Sequence, residues 1–267
     1  MATIEEWKAQ KATQSKMSKY DPDRDAGDRH VNMANRLIIA GHGLTLAEKR
    51  IVCLAVSKID SRPSAAARVE FSHGTIRITA QEYATFAEID MTSAYEQLRS
   101  AGDNLFSRQI TYYEPAYIRK KRIEDTIVKT RWVSTAKYQK DEGWIELTWT
   151  PEVLQNLVGL KRNFTSYQLK QTTALRSIYS WRLLELLMKF KSSGIAHFDV
   201  EDLKVALDVP ESMKNDFGQV RKKIIDPAIK ELEKKDDWII AYKTKKAGRR
   251  IDKIRFSFLK NPQPSLF

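Results

Sequence analysis

The chain contains 267 residues, of which 42% are hydrophobic and 30% charged, and this balance excludes a fibrous or wholly disordered protein. Its length favours two domains, and its 46 basic against 34 acidic residues leave a net charge of +12, which indicates a polyanionic partner, DNA or RNA before a membrane. Apolar runs all fall short of the roughly 20 residues of a membrane span, and the N-terminus lacks a signal-peptide core, so we expect a cytoplasmic protein without a membrane partner.

The chain is predicted to have a tail and two domains. Residues 1–30 are polar and end in a segment with four aspartates, so we predict a flexible N-terminal tail there. Pro151 is the first residue of the segment PEVLQNLVGL and is a reasonable place for a second domain to start. We therefore predict an N-terminal domain over 31–150 and a C-terminal domain over 151–267.

The N-terminal domain begins with a predicted core helix. Thr45 and Glu48 have the spacing of a capping box, and the helix that they open is predicted to reach Ile59. Two short strands are predicted to follow, over 68–71 and 75–79.

Two further capping boxes, which begin at Thr79 and Ser93, predict a short helix and then a longer one. Leu98 and Leu105 line the buried side of the longer helix. Its outward face carries three candidate contacts to DNA bases or flanking phosphates: Arg99, Ser100 and Asn104.

Strands are predicted for the rest of this domain, over 109–113, 127–138 and 144–150. The connection between the first two strands is basic and holds four consecutive cations. We expect them to contact phosphates: Arg119, Lys120, Lys121 and Arg122.

The C-terminal domain starts with a strand-like segment at 164–169 and a long core helix from Leu175 to Phe190. A shorter helix follows, with Asp199 placed as its N-cap and Val209 before the proline that stops it.

Residues 214–235 are predicted to form a basic helix, since apolar residues recur at steps of three and four from Phe217 to Leu232. Pro227 lies inside this helix, so the helix either bends there or ends at Asp226 and starts again. The exposed face carries four candidate contacts to DNA: Gln219, Lys222, Lys223 and Lys230.

From Trp238 the apolar period changes to two, which predicts a β-hairpin after the basic helix. Its turn, taken as 243–250, carries five cations that we expect to clamp phosphates: Lys243, Lys245, Lys246, Arg249 and Arg250. A basic surface that only keeps the protein soluble would explain any one of these charge runs. The order helix, helix and basic hairpin favours instead a winged helix-turn-helix.

The first half shows the same order of helices and basic strands. The predicted fold class is therefore α+β, with two tandem winged-helix domains.

Patterns for catalysis or metal binding do not occur in the sequence. The one cysteine, Cys53, excludes an intrachain disulfide, the four histidines show no paired spacing, and no P-loop motif is present. The acidic pairs Glu124-Asp125 and Asp236-Asp237 border basic hairpins, where solvated charge is the simpler explanation. We expect no catalytic residue, no cofactor and no metal ion.

Five blocks of the sequence carry a family resemblance: NRLIIAGHGLTLAEKRIVCLAVSKI, YEQLRSAGDNLFSRQITYY, WIELTWTPEVL, LRSIYSWRLLELL and FGQVRKKIIDPAIKELEKKDDWIIAYKTKKAGRRIDKIRF. With these blocks the chain resembles the iteron-binding plasmid replication initiators, the Rep family with two tandem winged-helix domains. The resemblance implies binding to direct repeats at a plasmid origin, self-association as a dimer that represses the initiator's own gene, and recruitment of the host initiator and helicase by the monomer.

Two alternatives share part of this pattern. A winged-helix transcription regulator has every one of these features except the tandem duplication and the family blocks. A rolling-circle nicking endonuclease would bind an origin too, but it needs a metal cluster and a nucleophilic tyrosine. We expect a DNA-binding initiator without enzymatic activity.

Overall fold

The computed structural model describes residues 24–72, 74–114, 117–118, 121–122, 124–139 and 142–261. These residues form two compact units made of interleaved chain segments. The first unit comprises the described residues of Met1–Leu37, Ala47–Gln109 and Thr130–Thr173, and the second those of Ile38–Leu46, Ile110–Lys129 and Ala174–Phe267. The sequence, by contrast, predicts a single domain boundary between residues 150 and 151. The limits of the functional domains stay a prediction, and so does the flexible tail over 1–30.

The helices, in chain order, are α1 (Asn35–Ile39), α2 (Leu46–Ser57), α3 (Ala66–Phe71), α4 (Ala80–Ala87), α5 (Met91–Asn104), α6 (Pro151–Leu154), α7 (Lys170–Thr173), α8 (Ile178–Met188), α9 (Val200–Ala206), α10 (Glu211–Lys214), α11 (Phe217–Val220) and α12 (Asp226–Lys235). Short 3₁₀ turns occur at Ala26–Asp28, Pro63–Ala65 and Leu105–Ser107, and a π turn at Arg221–Ile225 joins α11 to α12.

The strands are β1 (His30–Ala34), β2 (Ile76–Thr79), β3 (Gln109–Glu114), β4 (Tyr117–Ile118), β5 (Lys121–Arg122), β6 (Thr126–Arg131), β7 (Val133–Gln139), β8 (Trp144–Trp149), β9 (Phe164–Gln168), β10 (Ile195–Asp199), β11 (Trp238–Ala247) and β12 (Arg250–Lys260). They form sheets with the orders β1-β9, β2-β8-β7, β3-β6, β4-β5 and β10-β12-β11.

The first unit is a winged helix built around α2, a helix buried on nearly every side because ten of its twelve residues lie in the core. After α2 come β2, the two helices α4 and α5, and the antiparallel hairpin β7-β8. Strand β8 lies between β2 and β7, and its alternate residues Ile145, Leu147 and Trp149 enter the core. The separate pair β1-β9 belongs to the same unit, with His30 opposite Gln168.

The second unit repeats this plan. Its core helix α8 is followed by β10, by α9 and the helical residues 217–235, and by the hairpin β11-β12. Strand β12 lies between β10 and β11, which is the position of β8 in the first unit. Two copies of one helix-strand-helix-helix-hairpin arrangement confirm the predicted fold class, α+β with tandem winged-helix domains.

A fully buried arginine ties the second unit together. Arg182 of α8 has no exposed surface, and its guanidinium donates all five of its N–H directions. The partners are the carboxylate of Glu185 at 2.6 Å, the carbonyls of Ile38, Ala40 and Ala206 at 2.9, 2.6 and 2.9 Å, and Nε2 of His42 at 3.1 Å. The segment 38–46 is therefore held to α8 and to the end of α9 by a buried charged group.

Two local predictions for the N-terminal half are wrong. Residues 68–71 form part of helix α3 rather than a strand, since the turn Pro63–Ala65 leads directly into helix and Ser72 N–H closes it on the carbonyl of Arg68. The long helix starts at Met91, before Ser93, because the carboxylate of Asp90 accepts from the backbone N–H of Ser93 at 2.9 Å. An alternation over four residues and a capping-box spacing are both too short to fix an element alone.

Candidate nucleic-acid interface

The helical residues 217–235 form the basic surface element of the second unit. Asp216 starts the segment by accepting from the backbone N–H of Gln219, at 3.2 Å. The buried face consists of Val220, Ile224, Ile225, Ala228, Ile229 and Leu232. All four candidate contacts of this segment, Gln219, Lys222, Lys223 and Lys230, have exposed side chains, as the apolar period predicts. Their contact with DNA stays a prediction.

Pro227 is accommodated by the π turn Arg221–Ile225 just before it. Pro227 has no N–H to offer the carbonyl four residues earlier, and the chain compensates by widening this turn. The N–H of Asp226 donates to the carbonyl of Arg221, five residues back. Asp226 itself keeps helical φ and ψ, so the helix neither ends nor restarts there.

The hairpin has a much shorter turn than the sequence predicts. Strand β11 runs to Ala247 and β12 starts at Arg250, so that only Gly248 and Arg249 form the turn. Gly248 has a φ of 61°, which is the left-handed value that the first residue of a type II′ turn requires. Three of the predicted turn cations, Lys243, Lys245 and Lys246, therefore lie on strand β11, and all three are exposed.

Like charges face each other across this hairpin. Lys243 lies opposite Arg255, and Lys245 lies opposite Lys253. Opposed like charges destabilise a strand pair. Lys253 also approaches Asp199 with its Nζ 3.2 Å from the carboxylate, which takes the place of the side-chain capping bond expected from Asp199. A hairpin that keeps unfavourable charge pairs is typical of a surface that binds a polyanion.

The hairpin and helix of the second unit are joined by hydrogen bonds. The hydroxyl of Tyr242 on β11 donates to Oδ1 of Asp226 at 2.7 Å, and the N–H of Ile240 donates to Glu233 at 3.3 Å. Burial raises the pKa of Tyr242 to about 12, and the hydrogen bond to Asp226 adds to this rise, so the hydroxyl remains a donor at neutral pH. The helix is thereby fixed against the strand that carries the cations.

The first unit presents its candidate contacts on α5. Ala94, Leu98 and Ala101 bury one face of this helix. Arg99, Ser100 and Asn104 are exposed on the opposite face, as predicted. The amide of Asn104 donates to the carbonyl and hydroxyl oxygens of Ser100, at 2.7 and 3.2 Å, so these two side chains form one polar group.

The three-stranded sheet of the first unit neutralises its own charges. Glu146 of β8 accepts from Arg77 at 3.2 Å and from Lys137 at 3.0 Å, and the guanidinium of Arg77 stacks over Trp144 at 4.1 Å. The hydrogen bond from Lys137, with the nearby charge of Arg77, lowers the pKa of Glu146. These cations are therefore engaged within the sheet.

The basic run 119–122 falls largely outside the described residues. Arg119 and Lys120 are not among them. Lys121 and Arg122 form β5, whose backbone pairs with Ile118 and Tyr117, and nothing is described of their side chains. Their contact with phosphate stays a prediction.

Within the described part of the chain, no group of three or more His, Cys, Asp or Glu side chains could hold a metal ion. No helix that the structure describes is long and apolar enough to cross a membrane. Cys53 is buried in α2, as predicted. Asp236 accepts from Trp238 at 2.7 Å and pairs with Lys260, so this acidic residue has a structural role.

Sequence reasoning missed three exposed cations next to the predicted ones: Arg221, Lys253 and Arg255. Arg221 starts the π turn, which no spacing rule anticipates. Lys253 and Arg255 could have been found from the period-two pattern of β12, since they alternate with buried Ile254 and Phe256.

Family models match the chain in two stretches. The model described as initiator replication protein, WH1, matches residues 30–188, and the model described as initiator Rep protein, WH2, matches residues 199–258. Two Escherichia coli proteins are similar over most of their length. The PI protein is 27% identical over 269 residues, with 90% of this chain and 84% of the relative covered. An uncharacterized 27.6 kDa protein is 23% identical over 238 residues, with 88% and 95% covered.

A solved structure has the same fold. The crystal structure of Pi initiator protein in complex with iteron DNA superposes with a TM-score of 0.67 at 23% sequence identity. The match covers 89% of this chain and 99% of that chain, so both winged helices of the present structure have a counterpart.

Proposed function

The chain belongs to the family of initiator replication proteins with WH1 and WH2 domains, and from this premise we propose that it initiates plasmid replication by binding iterons at the origin. The observation that carries the proposal is the hairpin β11-β12. In the described part of the chain, no acidic side chain pairs with six of its exposed cations: Lys243, Lys245, Lys246, Arg249, Arg250 and Arg255. The solved Pi initiator protein is in complex with iteron DNA, which supports iterons as the target.

In the proposed complex, the two helices read sequence and the basic strands supply affinity. Gln219, Lys222 and Lys223 face base edges or flanking phosphates in one major groove, and Arg99 with the Ser100–Asn104 pair does the same for the first unit. The cations of the hairpin β11-β12 and of residues 119–122 contact phosphates, which adds affinity for any sequence.

The proposal extends to the cellular role that the family resemblance implies. The bound monomer opens the origin and recruits the host initiator and helicase, and a dimer represses the initiator's own gene. The protein acts in the cytoplasm of a bacterial host, without catalytic activity, cofactor or membrane partner.

Footprinting with the full chain tests the proposal directly. DNA that flanks the chain's own gene is incubated with the purified protein at several salt concentrations and digested with a nuclease. We expect protection of several direct repeats with a regular spacing. Binding that shows no sequence preference on this DNA contradicts the proposal.

Two further assays separate initiation from the alternative functions. Loss of the gene should abolish maintenance of a plasmid that carries the protected repeats, whereas loss of a transcription regulator would leave the plasmid in place. Supercoiled origin DNA incubated with protein and Mg²⁺ should stay intact, and a covalent tyrosine–DNA adduct would indicate a nicking enzyme instead.

A further inference from the structure

Arg221 lies on the exposed side of the helical residues 217–235, at the start of the π turn. Its Nε lies 4.0 Å from Oδ2 of Asp226, and the two side chains are 56% and 40% exposed. In a regular α-helix, residues five apart point about 140° away from each other, since each residue advances by about 100°. The wider π turn brings Arg221 and Asp226 onto one side of the helix.

Asp226 is held in place by Tyr242, which contacts the other oxygen of its carboxylate. The hydroxyl of Tyr242 donates to Oδ1 of Asp226 at 2.7 Å, which leaves Oδ2 directed at the guanidinium. The ring of Tyr242 packs on Phe256, with ring centroids 5.9 Å apart, and Phe256 is fully buried. The carboxylate beside Arg221 is therefore fixed to the core of the second unit.

This arrangement differs from the surroundings of the neighbouring lysines. In the described residues, no carboxylate pairs with Lys222 or Lys223, and each ends in a single charged group on a flexible stem rather than in a planar fork of donors. The contact of Arg221 with Asp226 is made by Nε, and the guanidinium has two further nitrogens that can donate. Two parallel N–H groups match O6 and N7 of guanine in the major groove, a pairing that phosphate contact does not need.

We infer that Arg221 reads a guanine in the target DNA and that Asp226 and Tyr242 are positioning residues that orient its guanidinium. The inference rests on the proposed DNA-binding function. It adds the identity of one contacted base and of the residues that orient the contacting side chain. Preorganisation of a contact residue by a second layer of fixed side chains is how a bidentate contact gains selectivity.

The test is a specificity profile of the full chain. A preferred duplex is first selected from a random library with the wild-type protein, and the affinity for every single base-pair substitution of that duplex is then measured. Arg221→Ala should lose its preference for one G·C pair by roughly 5- to 150-fold and keep the other preferences. Tyr242→Phe and Asp226→Asn should each weaken the preference at that same pair by about two- to tenfold.

A double variant shows whether Tyr242 acts through Arg221. Tyr242→Phe should change nothing further at this base pair when Arg221→Ala is already present, because there is no guanidinium left to orient. Circular dichroism and thermal melting of each variant check that the second unit is folded. Arg255→Ala serves as the matched control, since an exposed strand cation should weaken binding to all sequences alike.

Three results would overturn the inference. Arg221→Ala could weaken all sequences equally and lower the salt slope by about one, which identifies a phosphate contact. Tyr242→Phe and Asp226→Asn could leave the profile unchanged, which removes the positioning role. A wild-type selection that yields no preferred duplex overturns the proposed function itself, and with it the inference, and is thus distinguishable from the first two results.

Discussion

The two winged-helix units share one plan and differ in charge. Helix α5 and the hairpin 133–149 of the first unit carry one and two basic residues against two and three acidic ones. The corresponding helical residues 217–235 and hairpin 238–260 of the second unit carry six and eight basic residues against three and one acidic. The same order of elements thus presents a weakly acidic surface in one unit and a strongly basic surface in the other.

The two units also differ in how the charged side chains of their sheets are paired. In the first unit Glu146 accepts from both Arg77 and Lys137, so the charges cancel locally. In the second unit Lys243 and Lys245 face Arg255 and Lys253 across the strands. The winged-helix fold alone therefore does not determine how strongly a unit binds DNA, because the surface charge differs between the two units. We expect the second unit to supply most of the phosphate affinity.

Removal of the basic hairpin tip should break this asymmetry most strongly. We expect replacement of Lys245, Lys246, Arg249 and Arg250 by glutamine to lower the salt slope of DNA binding by about 3 to 4. The corresponding loss of affinity at 0.1 M salt is on the order of 10³-fold, because each phosphate contact contributes about 0.9 to the slope. Fluorescence anisotropy over a series of salt concentrations measures both quantities.

The matched control is the double change Arg77→Gln and Lys137→Gln in the first unit. Since Glu146 already pairs with both side chains, the salt slope should change by less than one. Equal losses of affinity from the two sets of changes would contradict a larger contribution of the second unit to phosphate binding.

Loss of the buried arginine should have the next largest effect, on folding rather than on binding. Arg182→Met removes the cation that lies 2.6 Å from the fully buried carboxylate of Glu185 and should cost about 3–5 kcal/mol of unfolding free energy. Arg108→Met in the first unit should cost less, because Arg108 is one-third exposed beside Glu48. Urea denaturation followed by circular dichroism compares the two variants.

Removing both members of the buried pair sharpens the result. Arg182→Met combined with Glu185→Leu should recover part of the lost stability, since no charge is left uncompensated in the core. A double variant that is less stable than Arg182→Met alone would show that the carbonyl contacts of Arg182 dominate instead.

Changes to the candidate base contacts should have smaller, local effects. Lys222→Ala and Arg99→Ala should each relax specificity by about 1–3 kcal/mol at one base pair if that residue contacts a base. The two affected pairs should lie in different parts of the footprint, since the residues belong to different units. Uniform loss across all sequences would identify a phosphate contact.

The smallest predicted effect is a dependence of stability on pH, and one buried tyrosine in each unit allows it to be compared between the units. Burial raises the pKa of Tyr83 and of Tyr242 to about 12, above the ordinary 10.0. The protonated phenol is favoured in the folded state, so each contribution to stability is present below pH 10 and is lost as pH rises towards 12. Urea titrations between pH 9 and 12 should show a shallower decline for Tyr83→Phe and Tyr242→Phe than for the wild type.

The tandem winged-helix fold was predictable because the apolar periods are long and clear, whereas the family followed from the resemblance that the five sequence blocks carry. The spacing from Phe217 to Leu232 and the alternation at Ile254, Phe256 and Phe258 each mark one buried face, and the structure confirms both, with Phe217 itself half-buried. The exposed faces followed from the same periods. What period analysis cannot supply is the pairing of residues distant in sequence, such as Tyr242 with Asp226.

Other features escaped prediction for local reasons. The burial of Arg182 and Glu185 was not predicted, although Trp181 and Leu183 flank Arg182, Leu184 and Leu186 flank Glu185, and the helix is therefore apolar nearly all round. The π turn depends on how a helix adapts to Pro227, and a bent or an interrupted helix fits the sequence equally well. The sequence predicts a hairpin turn over eight residues because the lysines of β11 obscure the alternation of apolar and polar positions on this strand.

The interleaving of chain segments has a practical consequence for dissection of the molecule. A fragment cut at Pro151 keeps Arg182 but discards Ile38, Ala40 and His42, which occupy three of its five donors. Such a truncation would leave three N–H donors of a buried guanidinium without acceptors, and a buried donor without an acceptor lowers the stability of the fold. Weak DNA binding by an isolated C-terminal half would then result from a destabilised fold and not from missing DNA contacts. Point substitutions in the intact polypeptide therefore assign roles to residues more safely.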